Sequence, residues 1–131
     1  LAVSLEHMSE KYSNNRCKIL GQCLDKATEK LLLENKSPTR KLGGIDNRGS
    51  HFYIAYYWAE ALSNQDQDKE LSNIFKKLYA NFNSKEDLII EELINAQGLK
   101  QDLDGYYLLD KDLVNRAMCP SVTLNKIIKE F

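Results

Sequence analysis

Apolar residues recur at three- and four-residue steps along most of this chain, with charged and amide residues between them, and that period predicts helices. Leu1, Leu5 and Met8 open the series, which fades at the polar break Ser13-Asn14-Asn15. Asn14 or Asn15 offers an N-cap oxygen to a longer helix carrying Cys17, Leu20, Leu24, Ala27, Leu31 and Leu32. Proline disfavours helical backbone at its predecessor, so Ser37-Pro38 places the end of that helix near Asn35. Residues 37–50 have no period and read as a loop. After a second break at Ser63-Asn64-Gln65-Asp66, Leu71, Ile74, Phe75, Leu78 and Tyr79 define another helical face, which Asn81-Phe82-Asn83-Ser84 is expected to end. Ser84 with Asp87 resembles a capping box opening a further helix with Leu88, Ile89 and Leu93, closed by Gly98 as its C′ residue. Asp102-Leu103-Asp104-Gly105 is turn chemistry, and Tyr106-Tyr107-Leu108-Leu109 reads as a short extended piece. A helical turn over residues 112–118 follows, and Ser121 or Thr123 caps a last helix through Leu124, Ile127, Ile128 and Phe131. The class is all-α, with six or seven helical segments in one unit over residues 1–131.

Between the loop and the second break the pattern changes. Eight successive residues, 52–59, carry no charge, and five of them (Phe52, Tyr53, Tyr56, Tyr57 and Trp58) are aromatic. Aromatic residues also favour strands, but the run continues without a turn signal through Glu60-Ala61-Leu62, which decides for a helix. A helix that is apolar all round is either buried on every side or awaits a partner. In so short a chain, much of its cover is expected to be missing.

Composition narrows the picture. The chain has 131 residues, 28% charged, with a net charge of −1. Acids and bases are interleaved, so there is no basic stripe for nucleic acid. No apolar run approaches the roughly 20 residues that span a bilayer, and no basic-then-apolar leader opens the chain. Neither a nucleic acid nor a membrane is an expected partner. Cys17, Cys23 and Cys119 form no CxxC or Cys/His pattern and read as buried, reduced thiols of a cytoplasmic protein. The chain opens at Leu1 already inside an amphipathic pattern, which predicts that it is a piece cut from a longer polypeptide.

Catalytic constellations are absent from the sequence. There is no glycine-rich phosphate loop and no metal-ligating cluster, and only His7 and His51 offer imidazoles, both read as structural or surface residues. The positive feature is the loop at residues 37–50. It carries Arg40, Lys41 and Arg48, two adjacent glycines (Gly43 and Gly44), and a helix start just beyond. Guanidinium forks and helix N-termini both suit phosphate oxygens. The plainer reading is that Arg48 pairs with Asp46 or caps carbonyls and that Lys41 is solvated.

Several blocks resemble one family in order along the chain. They are Leu1-Ala2-Val3-Ser4-Leu5-Glu6-His7, Asn35-Lys36-Ser37-Pro38-Thr39-Arg40-Lys41, Asp46-Asn47-Arg48-Gly49-Ser50-His51-Phe52-Tyr53, Gly105-Tyr106-Tyr107 and Met118-Cys119-Pro120-Ser121-Val122-Thr123-Leu124-Asn125. The family is the bacterial monomeric, NADP-dependent isocitrate dehydrogenases. The resemblance implies a C-terminal helical portion of the large domain of a two-domain enzyme. That enzyme oxidises and decarboxylates isocitrate to 2-oxoglutarate and carbon dioxide in the tricarboxylic acid cycle, reduces NADP, and requires Mg or Mn. It also implies that Arg40 helps to hold the 2′-phosphate of NADP. The catalytic residues and metal ligands are expected upstream of Leu1, leaving this piece inactive alone. No role is carried over to Arg48, Lys41 or the tyrosines. Cys119 stands where the family suggests a basic residue, and Gly43-Gly44 is more flexible than the family's usual sequence. The remainder of the polypeptide is the expected partner, with self-association when the piece is isolated. The alternative, from another class, is a free-standing α-helical interaction module.

Overall fold

The computed structural model describes residues 1–100, 102–105 and 107–131. It contains α1 (Ala2–Tyr12), α2 (Asn15–Leu33), α3 (Asn47–Asn64), α4 (Lys69–Asn95), α5 (Lys111–Met118) and α6 (Val122–Glu130), with no strand among the described residues. The caps explain the helix starts. Asn14 accepts from the amides of Arg16 and Cys17 at 3.1 and 3.3 Å, Asp68 from Leu71 at 2.9 Å, and Ser121 from Leu124 at 3.0 Å. Asp46 and Asp110 do the same for α3 and α5.

Helix α3 lies between α2 and α4, with α1 on the outer side of α2 and α6 packed on α4. One core cluster joins Ala27 and Leu31 of α2, the aromatic face of α3, Leu78, Phe82, Ile89 and Leu93 of α4, and Ile127 of α6. A second cluster at the other end joins Ile19, Cys23, Leu62 and Leu71. Phe52 and Phe82 meet edge to face at 5.5 Å between centroids, and Tyr56 stacks on Tyr57 and Tyr79 at 5.6 and 5.7 Å. The hydroxyls are satisfied at the rim of this core: Tyr53 donates to Glu86 at 2.9 Å and Tyr56 to Asn83 at 2.7 Å. Burial first, then the Glu86 carboxylate, pushes the Tyr53 hydroxyl well above the ordinary phenolic range. Burial and the charges of Glu34, Glu86 and Glu60 push Tyr57 up to about 12. These tyrosines keep their protons at neutral pH and hold the core together.

Five sequence expectations need correction. The aromatic helix is not left bare: Phe52, Tyr53, Tyr56, Tyr57, Ala59 and Leu62 are all buried within this chain. Its partners are α2 and α4. Second, α4 runs unbroken through Asn81-Phe82-Asn83-Ser84 for 27 residues. Phe82 is 1% exposed and stays on the face of Leu78, Ile89 and Leu93, Asn83 accepts from Tyr56, and the Ser84 hydroxyl donates to the Asn81 carbonyl one turn back. Only three residues of the apparent polar break are polar, and each suits a helix side. Third, α2 buries Leu24, Ala27 and Leu31 as expected but also Ile19 and Cys23, while Leu32 is exposed and Cys17 and Leu20 are half-buried, so the expected face holds only in part. Fourth, Cys119 is exposed; only Cys23 is a buried thiol, and all three cysteines are free. Fifth, residues 107 and 108 form a bend, not an extended piece, and Tyr106 lies outside the described residues. Gly98 does adopt a left-handed φ of 72°, two residues beyond the Ala96 cap.

Candidate functional site

The loop between α2 and α3 is held in place at its start, its end and its tip. At the start, α2 closes in a Schellman motif: the amide of Lys36 donates to the Leu31 carbonyl at 3.0 Å and that of Asn35 to Leu32 at 3.2 Å, with Asn35 left-handed at φ 54°. The Lys36 ammonium then sits 4.4 Å over the Tyr53 ring, pinning the chain to the aromatic core. At the end, Asp46 caps α3 through the Gly49 amide at 3.0 Å and takes the Arg48 guanidinium at 2.8 and 2.7 Å. Burial alone would raise the Asp46 carboxyl, but the Gly49 amide and Arg48 outweigh it and hold the group below the usual carboxylate range. Arg48 donates its remaining arm to the Ala117 carbonyl at 2.9 Å, tying α3 to the end of α5.

Between these ends the loop closes on itself. The Thr39 amide donates to the Ile45 carbonyl at 2.7 Å, the Lys41 amide to the Thr39 hydroxyl at 3.0 Å, and the Gly44 amide to the Lys41 carbonyl at 3.2 Å. Gly43 has φ 83°, which favours glycine. A Cβ on Gly44 would stand 2.3 Å from the Thr39 methyl, so only glycine permits this closure. At the tip, the Gln97 side chain reaches across from the end of α4. Its Oε1 accepts from the Gly43 amide at 2.9 Å and its Nε2 donates to the Gly44 carbonyl at 2.7 Å. An open cavity of about 280 Å³ lies between loop and turn, lined among others by Thr39, Arg40, Lys41, Asp46, Arg48 and Gln97.

The structure sorts the three basic residues. Arg48 is consumed by Asp46 and Ala117, as the plainer reading of the sequence has it. Arg40 and Lys41 are exposed, and among the described residues no hydrogen-bond or ion-pair partner holds either side-chain charge. The cavity therefore presents two uncompensated cations beside a neutralised pair, an arrangement suited to a small multiply charged anion. His51 does not join it; it is exposed and borders a separate apolar recess with Met118 and Ile128. His7 is exposed on α1. No group of three or more His, Cys, Asp or Glu side chains that could hold a metal forms among the described residues. No described helix is long and apolar enough to cross a membrane. Gln97 escaped the sequence reading because its partners lie 54 and 53 positions away and nothing local marks it.

A protein-family model for monomeric isocitrate dehydrogenase matches residues 1–129. The chain belongs to the monomeric isocitrate dehydrogenase family. It is 48% identical over 128 residues to NADP isocitrate dehydrogenase 2 of Psychrobacter sp. (strain 13A), covering 98% of this chain and 17% of that protein. It is 49% identical over 125 residues to the NADP isocitrate dehydrogenase of Azotobacter vinelandii, covering 95% of this chain and 17% of that protein. With NADP isocitrate dehydrogenase 2 of Mycobacterium tuberculosis the identity is 43% over 129 residues, again 98% of this chain and 17% of the relative. The chain thus spans about one sixth of the length of these curated relatives. Membership of an enzyme family does not favour the alternative of a free-standing interaction module.

Proposed function

We propose that this chain is the C-terminal helical segment of a cytoplasmic, NADP-dependent isocitrate dehydrogenase of the tricarboxylic acid cycle, and that its contribution to the site is Arg40, holding the 2′-phosphate of NADP. The observation that supports this reading is the pair of uncompensated cations on a loop fixed at both ends, on a chain similar along its length to NADP isocitrate dehydrogenases. A guanidinium donates two parallel N–H bonds to two phosphate oxygens. The open cavity has room for such a phosphate group and is far too small to enclose a dinucleotide, so the other walls belong to the rest of the polypeptide. Held by Arg40 at its 2′-phosphate, NADP would supply the hydride acceptor for the oxidation of isocitrate. This segment's part is to anchor and select the cofactor, and no catalytic step falls to its residues.

The described residues do not fit Mg or Mn, since no donor cluster forms among them. In this reading the metal site, the isocitrate site and the catalytic groups lie in the remainder of the polypeptide, and the segment alone is inactive. The exposed Leu1 just before α1, Val3 and Tyr12 of α1, and Leu33 at the end of α2 are surfaces we assign to that remainder, and they favour self-association of the isolated segment.

Arg40→Ala in the full-length protein tests the proposal. A lost charge-assisted contact of about 1.5–3 kcal/mol corresponds to a roughly ten- to hundredfold rise in the Michaelis constant for NADP. The Michaelis constant for NAD is expected to change far less. An NADP constant that does not move sinks the assignment of Arg40.

A further inference from the structure

We propose that Gln97 is a positioning residue for cofactor recognition, setting the place of Arg40 by clamping the tip of its loop to the rigid end of α4; this rests on the reading of Arg40 as the 2′-phosphate anchor. The loop's own bonds, Thr39 to Ile45 and Gly44 to Lys41, fix its internal shape but not its pose against the helices. The start is tied to α2 at Lys36 and the end to α3 at Asp46, leaving Gly43 seven residues from the first anchor and three from the second. Gln97 supplies the missing restraint. Its amide meets the Gly43 N–H and the Gly44 carbonyl together, as a neighbouring strand would, at 2.9 and 2.7 Å.

The clamp is itself immobilised. The Gln97 amide donates to the Ile94 carbonyl at 3.0 Å, in the closing turn of α4, and Leu93 in that turn is buried in the core. Beside it, Gly98 lacks the Cβ that would stand 3.3 Å from the Leu42 side chain, so Leu42 lies against the same turn. Gly43 and Gly44 have backbone freedom that Gln97 removes, and Arg40 is on the same closed loop only three residues from Gly43. A guanidinium must meet phosphate oxygens at hydrogen-bond distance, so drift of the loop weakens that contact while leaving the reacting centre untouched. Only a carboxamide of this length makes both bonds. Glutamate keeps the acceptor for Gly43 but places a second oxygen against the Gly44 carbonyl.

The test uses the full-length protein with Gln97→Ala, Gln97→Glu, Arg40→Ala and the Arg40→Ala/Gln97→Ala double variant, assayed with NADP and with NAD. Loss of one or two neutral hydrogen bonds predicts an about three- to tenfold rise in the Michaelis constant for NADP, falling on that constant and not on kcat, and greater for NADP than for NAD. The double variant is expected to be no worse than Arg40→Ala alone, because Gln97 acts through Arg40. Equal losses with both cofactors, penalties that add in the double variant, or two silent Gln97 variants beside a damaging Arg40→Ala each overturn the role of Gln97 alone. A silent Arg40→Ala removes the anchor reading, and the role of Gln97 goes with it. Gln97→Glu preserves size and shape, so the comparison survives if the alanine variant folds poorly.

Discussion

The aromatic stretch of α3 and the loop that leads into it are neighbours in sequence and are built by opposite means. In α3, order comes from area: large rings buried between two long helices, with the Tyr53 hydroxyl meeting a carboxylate and the Tyr56 hydroxyl an amide at the rim. In the loop, order comes from a few directed bonds, the Schellman closure, the Asp46 cap and the Gln97 clamp, around a tip that buries almost nothing. Burial is non-directional and tolerates small changes in each partner. A hydrogen-bonded tip with two glycines has no such reserve, but it can present Arg40 and Lys41 to solvent with their charges unpaired. The molecule keeps its buried core and its unpaired cations in adjacent but separate places.

The largest test of that separation is Phe82→Ala. Phe82 is 1% exposed and faces Phe52 across the α3–α4 interface. Truncating such a ring costs about 3–5 kcal/mol. Urea denaturation of this chain is expected to show that loss. A cost below about 1 kcal/mol would mean that the aromatic helix draws its order from surfaces outside the segment, which returns the comparison to the uncovered helix that the sequence alone suggests.

At the seam between the two regions, Asp46→Ala removes the cap of α3 and the Arg48 pair together. Cap loss alone is worth about 1–2 kcal/mol at neutral pH. The pH dependence sharpens this. The folded Asp46 carboxyl is held below its ordinary value, so its contribution is fully present above the unfolded value of about 3.9 and is lost as pH falls through the folded value. Denaturation at pH 7 and pH 3 should therefore show a large gap between wild type and variant at pH 7 and a smaller one at pH 3. A gap that stays constant with pH would show that the carboxylate charge contributes nothing to the joint.

How much of this was readable in the residues follows the same division. Burial leaves a period, so the all-α class and the helical state of the aromatic run could be inferred from spacing, while the caps were narrowed only to Asn14 or Asn15 and to Ser121 or Thr123, of which Asn14 and Ser121 are the ones used. Within α2 the period located the helix and the buried Leu24, Ala27 and Leu31 but missed its N-terminal half, because Ile19 and Cys23 compete with Cys17 and Leu20 for the core and only the neighbouring helices decide. The basic loop was visible as composition, and the pairing of Arg48 with Asp46, two residues apart, was foreseeable. The clamp from Gln97 was not, since a long-range amide bond has no period and no local signature.

The smallest effect addresses the clearest failure of local reading, the break expected at residues 81–84. Were Ser84 an N-cap, its replacement by alanine would cost about 1 kcal/mol. In the continuous helix it is an exposed interior residue whose hydroxyl only returns to the Asn81 carbonyl. Alanine is the better helix former at such a position, by a few tenths of a kcal/mol. Ser84→Ala is therefore expected to be neutral or slightly stabilising, read as an unchanged or raised urea midpoint. A clear loss would mean that the chain breaks here in solution, parting the Leu71–Leu78 half of α4 from the Ile89–Leu93 half. Because Gln97 takes its position from the latter half, such a break would also loosen the clamp on the Arg40 loop from the core around Tyr56 and Tyr79. Continuity of α4 is what makes one rigid body of the aromatic core and the loop tip.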